Sequence, residues 1–189
     1  VSTAGIVLAA GAGRRMGRPK GLLRRPDGTT FAAAAAALLT GAGCRPVLVT
    51  VGARGDEVRA GLAPGTVAVD VPDWDRGPGA GLVRTLREPA LAGCEAVLVV
   101  LADLPRVTVD GVRAVLAHAA PGALVRAVDA GRPGHPVLLG RRHLPRAVEL
   151  AASGAGLRAL FEGPDVLRVQ VEGAADDVDR PGDLPAGTR

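Results

Sequence analysis

Short, continuous apolar runs recur along the 189 residues, each closed by glycine, proline or aspartate and followed by a stretch of helical period. Residues 4–10 (AGIVLAA) and 46–51 (PVLVTV) are such runs, and 66–71 (TVAVDV) reads as a third strand. The strongest is 96–105 (AVLVVLADLP), apolar until Asp103 and a proline. Runs without a polar face belong to strands buried on both sides. Helices are predicted between them: from about Thr29 to Leu39, stopped by GAG at 41–43, then 55–62, 82–91, and 108–119 with Thr108 as its cap. Further strands at 123–128 and 135–140 flank a turn, DAGRPG, at 129–134. Helices near 142–152 and 156–162 and a strand at 165–171 complete the pattern. Strands alternating with helices imply right-handed βαβ units and a mainly parallel sheet, so the fold class is α/β. Such sheets bind ligands beyond the carboxyl ends of their strands. Loop 11–21 and Asp103 both leave from such ends.

The length suits one domain, 1–189, and neither a repeat nor a linker divides it. Aromatic residues are only 2% of the chain, so the core must be built from Ala, Val and Leu. The net charge of +4 without interleaved aromatics points to anionic small molecules rather than nucleic acid. Cys44 and Cys94 stand far apart with no CxxC or histidine cluster, which predicts buried free thiols, not zinc ligands or a disulfide. No signal peptide is seen, and no apolar run approaches the roughly 18 residues of a membrane span. A cytoplasmic protein is expected.

Residues 7–23 read VLAAGAGRRMGRPKGLL, and Lys20 within them is the only lysine beside 22 arginines. A strand that enters glycines and then a helix can aim backbone N–H groups at an anion. The dinucleotide fingerprint G-x-G-x-x-G fails here, because the glycines fall at 11, 13 and 17 and no acid ends the second strand. The ATPase P-loop fails too, since no hydroxyl residue follows Lys20. Gly11 and Gly13 would let the main chain approach a triphosphate. Arg15 could fork around phosphate oxygens and Lys20 supply a compact charge. Arg14 and Arg18 read as surface charges.

This stretch resembles the signature L-A-A-G-x-G-x-R-M-G-x-x-K of the MobA-like nucleotidyltransferases, nearest to their molybdenum cofactor cytidylyltransferase branch. Leu8, Ala9, Ala10, Gly11, Gly13, Arg15, Met16, Gly17 and Lys20 match it. LADLP at 101–105 resembles the family's L-x-D-x-P element, which implies a metal-binding role for Asp103. DDVDRPGDL at 176–184 resembles a late D-x-D-T-P-x-D-L motif, making Asp177 and Asp179 candidates for a second ligand, with Asp179 preferred. Arg180 replaces the usual threonine; Asp176 and Asp183 read as surface or capping residues. DWDRGPGAGL at 73–82 resembles the loop that helps hold the nucleotide, with Gly77, Gly79 and Gly81 as its backbone contacts. Trp74 there follows a cytidylyltransferase pattern or plugs the loop onto the core. Gly77–Pro78 and Ala80–Gly81 follow the guanylyltransferase pattern G-P-L-A-G, and Gly81 stands where a serine is usual. GRPGHPVLLGR at 131–141 resembles an acceptor-side segment, so His135 either contacts the acceptor or serves the strand entry. His118 and His143 are expected to be solvated and without partners.

The resemblance implies a three-layer, Rossmann-like domain of the nucleotide-diphosphosugar transferase type. The reaction it implies is attack by an acceptor's phosphate on the α-phosphorus of an NTP, with pyrophosphate leaving. Lys20, Arg15 and Asp103 would be its catalytic residues, and Asp103 and Asp179 would hold Mg2+. CTP and molybdopterin are the expected substrates, with a molybdoenzyme or its chaperone as protein partner. Within the same chemistry the alternatives are GTP or another phosphorylated acceptor. Outside it stand a nucleotide-dependent oxidoreductase and a non-catalytic nucleotide-binding relative.

Overall fold

A computed structural model describes residues 1–188, the side chain of Pro78 excepted. Its sheet contains β1 (Thr3–Leu8), β2 (Val47–Val51), β3 (Val67–Asp70), β4 (Ala96–Leu101), β5 (Leu124–Asp129), β6 (Arg132–Gly140) and β7 (Leu167–Gln170). Among the described residues these form one seven-stranded sheet in the order β3-β2-β1-β4-β6-β5-β7. All neighbouring pairs are parallel except the two that involve β6.

Helices α1 (Phe31–Ala42), α2 (Gly55–Ala60), α3 (Pro78–Leu86), α4 (Val109–Leu116) and α5 (Leu144–Ala152) cover both faces. Alternate residues of each central strand serve opposite layers. Leu98 and Val100 of β4 join Ala36, Leu39, Val58 and Val112 beneath α1, α2 and α4. Val97 and Val99 join Leu82, Ala147 and Phe161 beneath α3 and α5. This double burial explains why β4, and β1 and β2 apart from Thr3 and Thr50, read as apolar runs. Thr30 and Thr108 cap α1 and α4 by accepting from the amides of Ala33 and Gly111 at 3.3 and 3.2 Å. Among the described residues no helix is long and apolar enough to cross a membrane. Cys44 and Cys94 are buried and free.

Several predicted boundaries move, and α1 runs past Leu39 to Ala42 before Gly43 ends it. Helix α3 begins at Pro78, not 82, and ends at Leu86. Proline is well tolerated at a first helical position, so the predicted nucleotide loop is shorter and Gly79 and Gly81 lie in the helix. The predicted 129–134 turn contracts to Ala130 and Gly131, both with positive φ, so β6 already starts at Arg132. Two such residues make the tight hairpin turn that matches strand twist. Helix α4 stops at Leu116, three residues short of the expectation. The chain runs from β1 outwards to β2 and β3 and then returns to β4 on the other side of β1. The crevice at this reversal lies beyond the ends of β1 and β4.

Candidate active site

The loop after β1 is held by its neighbours before any ligand is considered. Thr50, buried in β2, accepts at Oγ1 from the amides of Ala9 and Ala10 at 2.8 and 3.2 Å. The Ala10 carbonyl in turn accepts from Ala53 N at 3.0 Å. Gly13 has φ +60°, and a Cβ there would lie 1.9 Å from the Arg18 carbonyl oxygen, so the loop folds back on itself only with glycine at this position. Met16 pins the far side by packing with Leu23, Phe31 and Val178. Gly52 allows a second close approach: a Cβ on it would meet both Ala10 O and Trp74 Cβ at 2.7 Å. Trp74 therefore lies across the end of β2 as a wall of the site.

These elements enclose a cavity of about 280 Å³. Leu8, Ala9, Ala10, Gly11, Gly13 and Lys20 line one side of it. Gly77, Gly81, Trp74 and Asp103 line the rest, together with Thr50 and Gly21. Four predicted positions do not line it: Arg15 and Asp179, which pair with each other beside Lys20, and Gly79 and His135. Gly79 instead serves helix packing, since a Cβ there would come within 2.6 Å of the Ala151 carbonyl on α5. His135 lies in an adjoining cavity of about 250 Å³ that shares Leu8 and Leu101 with the first.

The charged groups converge at the mouth. Lys20 Nζ donates to Asp103 Oδ2 at 2.7 Å and to Asp179 Oδ1 at 2.5 Å. Arg15 Nη1 donates to Asp179 Oδ2 at 2.6 Å, so this exposed guanidinium, expected on phosphate, is paired with a carboxylate. The late acidic segment is brought here by the backbone: Val178 N donates to the Asp103 carbonyl at 3.0 Å. Asp183 accepts from the amides of Asp179 and Arg180 at 3.1 and 2.8 Å, the capping role expected of it. Asp176 joins Arg106 and Arg132 in surface ion pairs. Arg14, Arg18 and His118 are exposed as expected. His143 is not free, because its Nε2 lies 3.0 Å from the Gly122 carbonyl, to which it donates.

Burial alone would lower the Lys20 pKa, but the hydrogen bonds and charges of Asp103 and Asp179 outweigh it and raise it. Burial raises Asp103 despite the opposing pull of Lys20. Lys20, followed by Arg15, holds Asp179 below the usual carboxylate range. One carboxylate oxygen each from Asp103, Asp177 and Asp179 lie within 4.8 Å of one another. Three hard oxygen donors at that spacing suit a hard divalent cation, so the residues present fit a metal of the Mg2+ or Mn2+ kind. Thr50 and Gly52 escaped the sequence reading. Their only local signals are a polar residue inside an apolar strand and a glycine where a ribose-binding acid was sought.

A reversal-point crevice with a fixed glycine loop, a lysine and converging carboxylates defines an α/β nucleotide-binding protein. Residues 5–171 match the MobA-like NTP transferase domain, and the chain belongs to that family. Its fold is that of the nucleotide-diphosphosugar transferases, and nucleotidyl transfer is the chemistry of the family. It is similar to the nicotine blue oxidoreductase of Paenarthrobacter nicotinovorans, 32% identical, with 93% of this chain and 91% of that protein covered. It is also 34% identical to the probable molybdenum cofactor guanylyltransferase of Mycobacterium marinum, with 100% and 94% covered. Among solved structures it resembles Rv0371c of Mycobacterium tuberculosis with a TM-score of 0.80 and 27% identity, covering 97% and 95%. A complex of Rv0371c with manganese gives 0.77 and 26%, covering 97% and 96%.

Proposed function

We propose that the protein transfers GMP from GTP to the phosphate of molybdopterin, releasing pyrophosphate. The observation that carries this reading is the Lys20 ammonium seated on Asp103 and Asp179 at the mouth of the glycine-loop cavity. Two features favour GTP over the CTP that the sequence first suggested. The relative that names a base is a guanylyltransferase. Residues 77–81, GPGAG, agree with G-P-L-A-G at four of five positions.

In the reaction a phosphate oxygen of the acceptor bonds to the α-phosphorus of GTP as the bond to the bridging β-phosphate oxygen breaks. No general base is required, because the nucleophile is already ionised at neutral pH. The backbone of Leu8 to Gly13 and the residues Gly77 and Gly81 cradle the nucleotide. Lys20 exchanges its carboxylate partners for phosphate oxygens and stabilises charge growing on the leaving pyrophosphate. Arg15 adds a second cation at the solvent side. Asp103 and Asp179 would hold Mg2+, with Asp177 in reach as a third carboxylate. The metal, when bound, supplies Lewis-acid neutralisation of phosphate charge. His135 lines the acceptor side of the crevice. The reading treats 1–189 as one cytoplasmic catalytic domain that hands its product to a molybdoenzyme or its chaperone.

The test is Mg2+-dependent pyrophosphate release with molybdopterin, run with GTP and CTP in parallel. GTP should be preferred, and Lys20→Ala and Asp103→Ala should abolish release; retained turnover in both variants overturns the assignment. The oxidoreductase relative favours a second reading, reduction of an organic acceptor by NADH. The glycine spacing at 11, 13 and 17 and the absence of an acid after β2 weigh against it. Saturable NADH binding and oxidation, without binding of GTP or CTP, would establish that reading instead.

A further inference from the structure

Helices α3 and α5 meet where Gly79 presses on the Ala151 carbonyl, with only 2.6 Å left for an added Cβ. Beside this crossing lies a groove of about 900 Å³, walled by α3, the loop before it and the chain that leaves α5. Its volume is about three times that of the glycine-loop cavity. Gly79, Ala80, Ala152 and Gly154 give it a floor of side chains no larger than a methyl group, and Val83 is the bulkiest apolar group along it.

Cations stand on the α3 side of this groove. Arg84 and Arg87 lie about one turn apart at the C-terminal end of α3. Both are exposed, and among the described residues neither forms an ion pair. By contrast Arg113 on α4 and Arg146 on α5 each pair with an acid three residues away, at 3.2 and 2.8 Å. Glu88 also borders the groove, four residues after Arg84, yet forms no ion pair with it. At the other end Asp73 lies 3.8 Å from Arg76 and balances it. A helix C-terminus favours a cation, but two like charges one turn apart oppose each other until an anion is placed between them.

We infer that this groove docks an acidic amphipathic helix of a partner protein, its carboxylates on Arg84 and Arg87 and its apolar seam on Ala80 and Val83. A floor that stops at Cβ lets a helix of about 10 Å diameter sit low between α3 and the end of α5. A nucleic acid fits the same groove poorly, because Asp73 and Glu88 repel phosphates and no aromatic side chain lines it for stacking. A partner helix can instead offer a lysine to Glu88. Asp73 and Arg76 flank Trp74, the wall of the nucleotide cavity, and Gly81 of α3 lines that cavity from its other side. A partner seated here touches the segment that shapes the nucleotide site, which suits the hand-over of a product. That use rests on the transferase reading; the docking does not.

The test measures fluorescence anisotropy of a labelled helical peptide of about four turns, titrated with the intact protein at low and high salt. The peptide carries a leucine–alanine seam flanked by glutamates one turn apart. A scrambled peptide of the same composition is the control. The patterned peptide should bind saturably, more weakly at high salt, and the scrambled one should not. The double variant Arg84→Glu, Arg87→Glu should keep the melting temperature and weaken the peptide by at least about tenfold. A peptide with lysines in place of the glutamates should bind that variant and not the wild type. Ala152→Trp, which fills the floor without changing charge, should weaken binding as well. Equal binding of the scrambled peptide, unchanged affinity in the double variant, no saturable binding, or displacement of the peptide by a single-stranded oligonucleotide would each overturn the inference. Self-association of the wild type that Ala152→Trp abolishes would give the groove to a second copy and overturn it too. No nucleotide enters the titration, so its failure leaves the transferase reading standing, and a failed turnover test leaves the docking surface standing.

Discussion

The Lys20 ammonium donates to Asp103 Oδ2 at 2.7 Å, so the cation expected on phosphate and the carboxylate expected on metal neutralise each other directly. Asp179 closes the arrangement at 2.5 Å from the same Nζ. Lysine and metal therefore compete for the same oxygens, and phosphate is the ligand that can draw the lysine away.

That competition has a measurable consequence. Lys20→Ala should bind Mn2+ several-fold more tightly than wild type in the absence of nucleotide, as titrated by the free-ion electron paramagnetic signal. The same variant should lose turnover by roughly a hundredfold or more. Lys20→Arg should fold normally and still lose most activity, since a planar fork cannot take the place of a compact ammonium. Near-normal turnover in Lys20→Arg would refute the proposed role of Lys20.

Thr50 holds the amides of Ala9 and Ala10 from inside the sheet. Thr50→Val preserves shape but strands those donors, at a cost of about 1–3 kcal/mol in urea unfolding. Nucleotide affinity measured by calorimetry should fall with it, because the loop loses its anchor. A variant as stable as wild type would show that water replaces the hydroxyl.

Gly13→Ala should be far more damaging than Gly17→Ala. Both positions have positive φ, but an added Cβ meets the Arg18 carbonyl at 1.9 Å in the first case and nothing within 4 Å in the second. Gly17→Ala should cost only about 1–2 kcal/mol of backbone strain and leave nucleotide binding largely intact. Gly13→Ala should abolish nucleotide binding, read by thermal shift with GTP. Equal behaviour of the two variants would contradict the folded-back loop.

His135 predicts a pH dependence of stability. Its pKa is lowered from 6.5 to about 4 by burial, with the Val99 hydrogen bond opposing. Above pH 6.5 the ring is neutral folded and unfolded, and it contributes no slope. Between about 6.5 and 4 the unfolded chain takes up a proton that the fold refuses, so stability falls as the pH falls through this window. Comparing wild type with His135→Gln at pH 7 and 4.5 isolates the effect: the variant should lose less stability on acidification.

The chain order of strands and helices was readable from local pattern, because a doubly buried strand and a capped helix are written in neighbouring residues. Thr108 as a cap, the strands β1 and β4, and the glycine loop with Lys20 all carry such signals. The start of α3 was misplaced because a glycine-rich segment after Pro78 has weak helix propensity, and packing of Gly79 against α5 decides in its favour. What tertiary structure alone decided was who meets whom. The antiparallel insertion of β6 beside β4 has no local signature, nor does the hydrogen bond from Val178 to Asp103 that delivers Asp179 to Lys20. Thr50 is an ordinary strand threonine until β1 is placed beside β2. Backbone hydrogen bonds between distant segments are blind to residue type, so a sequence can name the candidate charges of a site while only the folded sheet brings them within reach of one another.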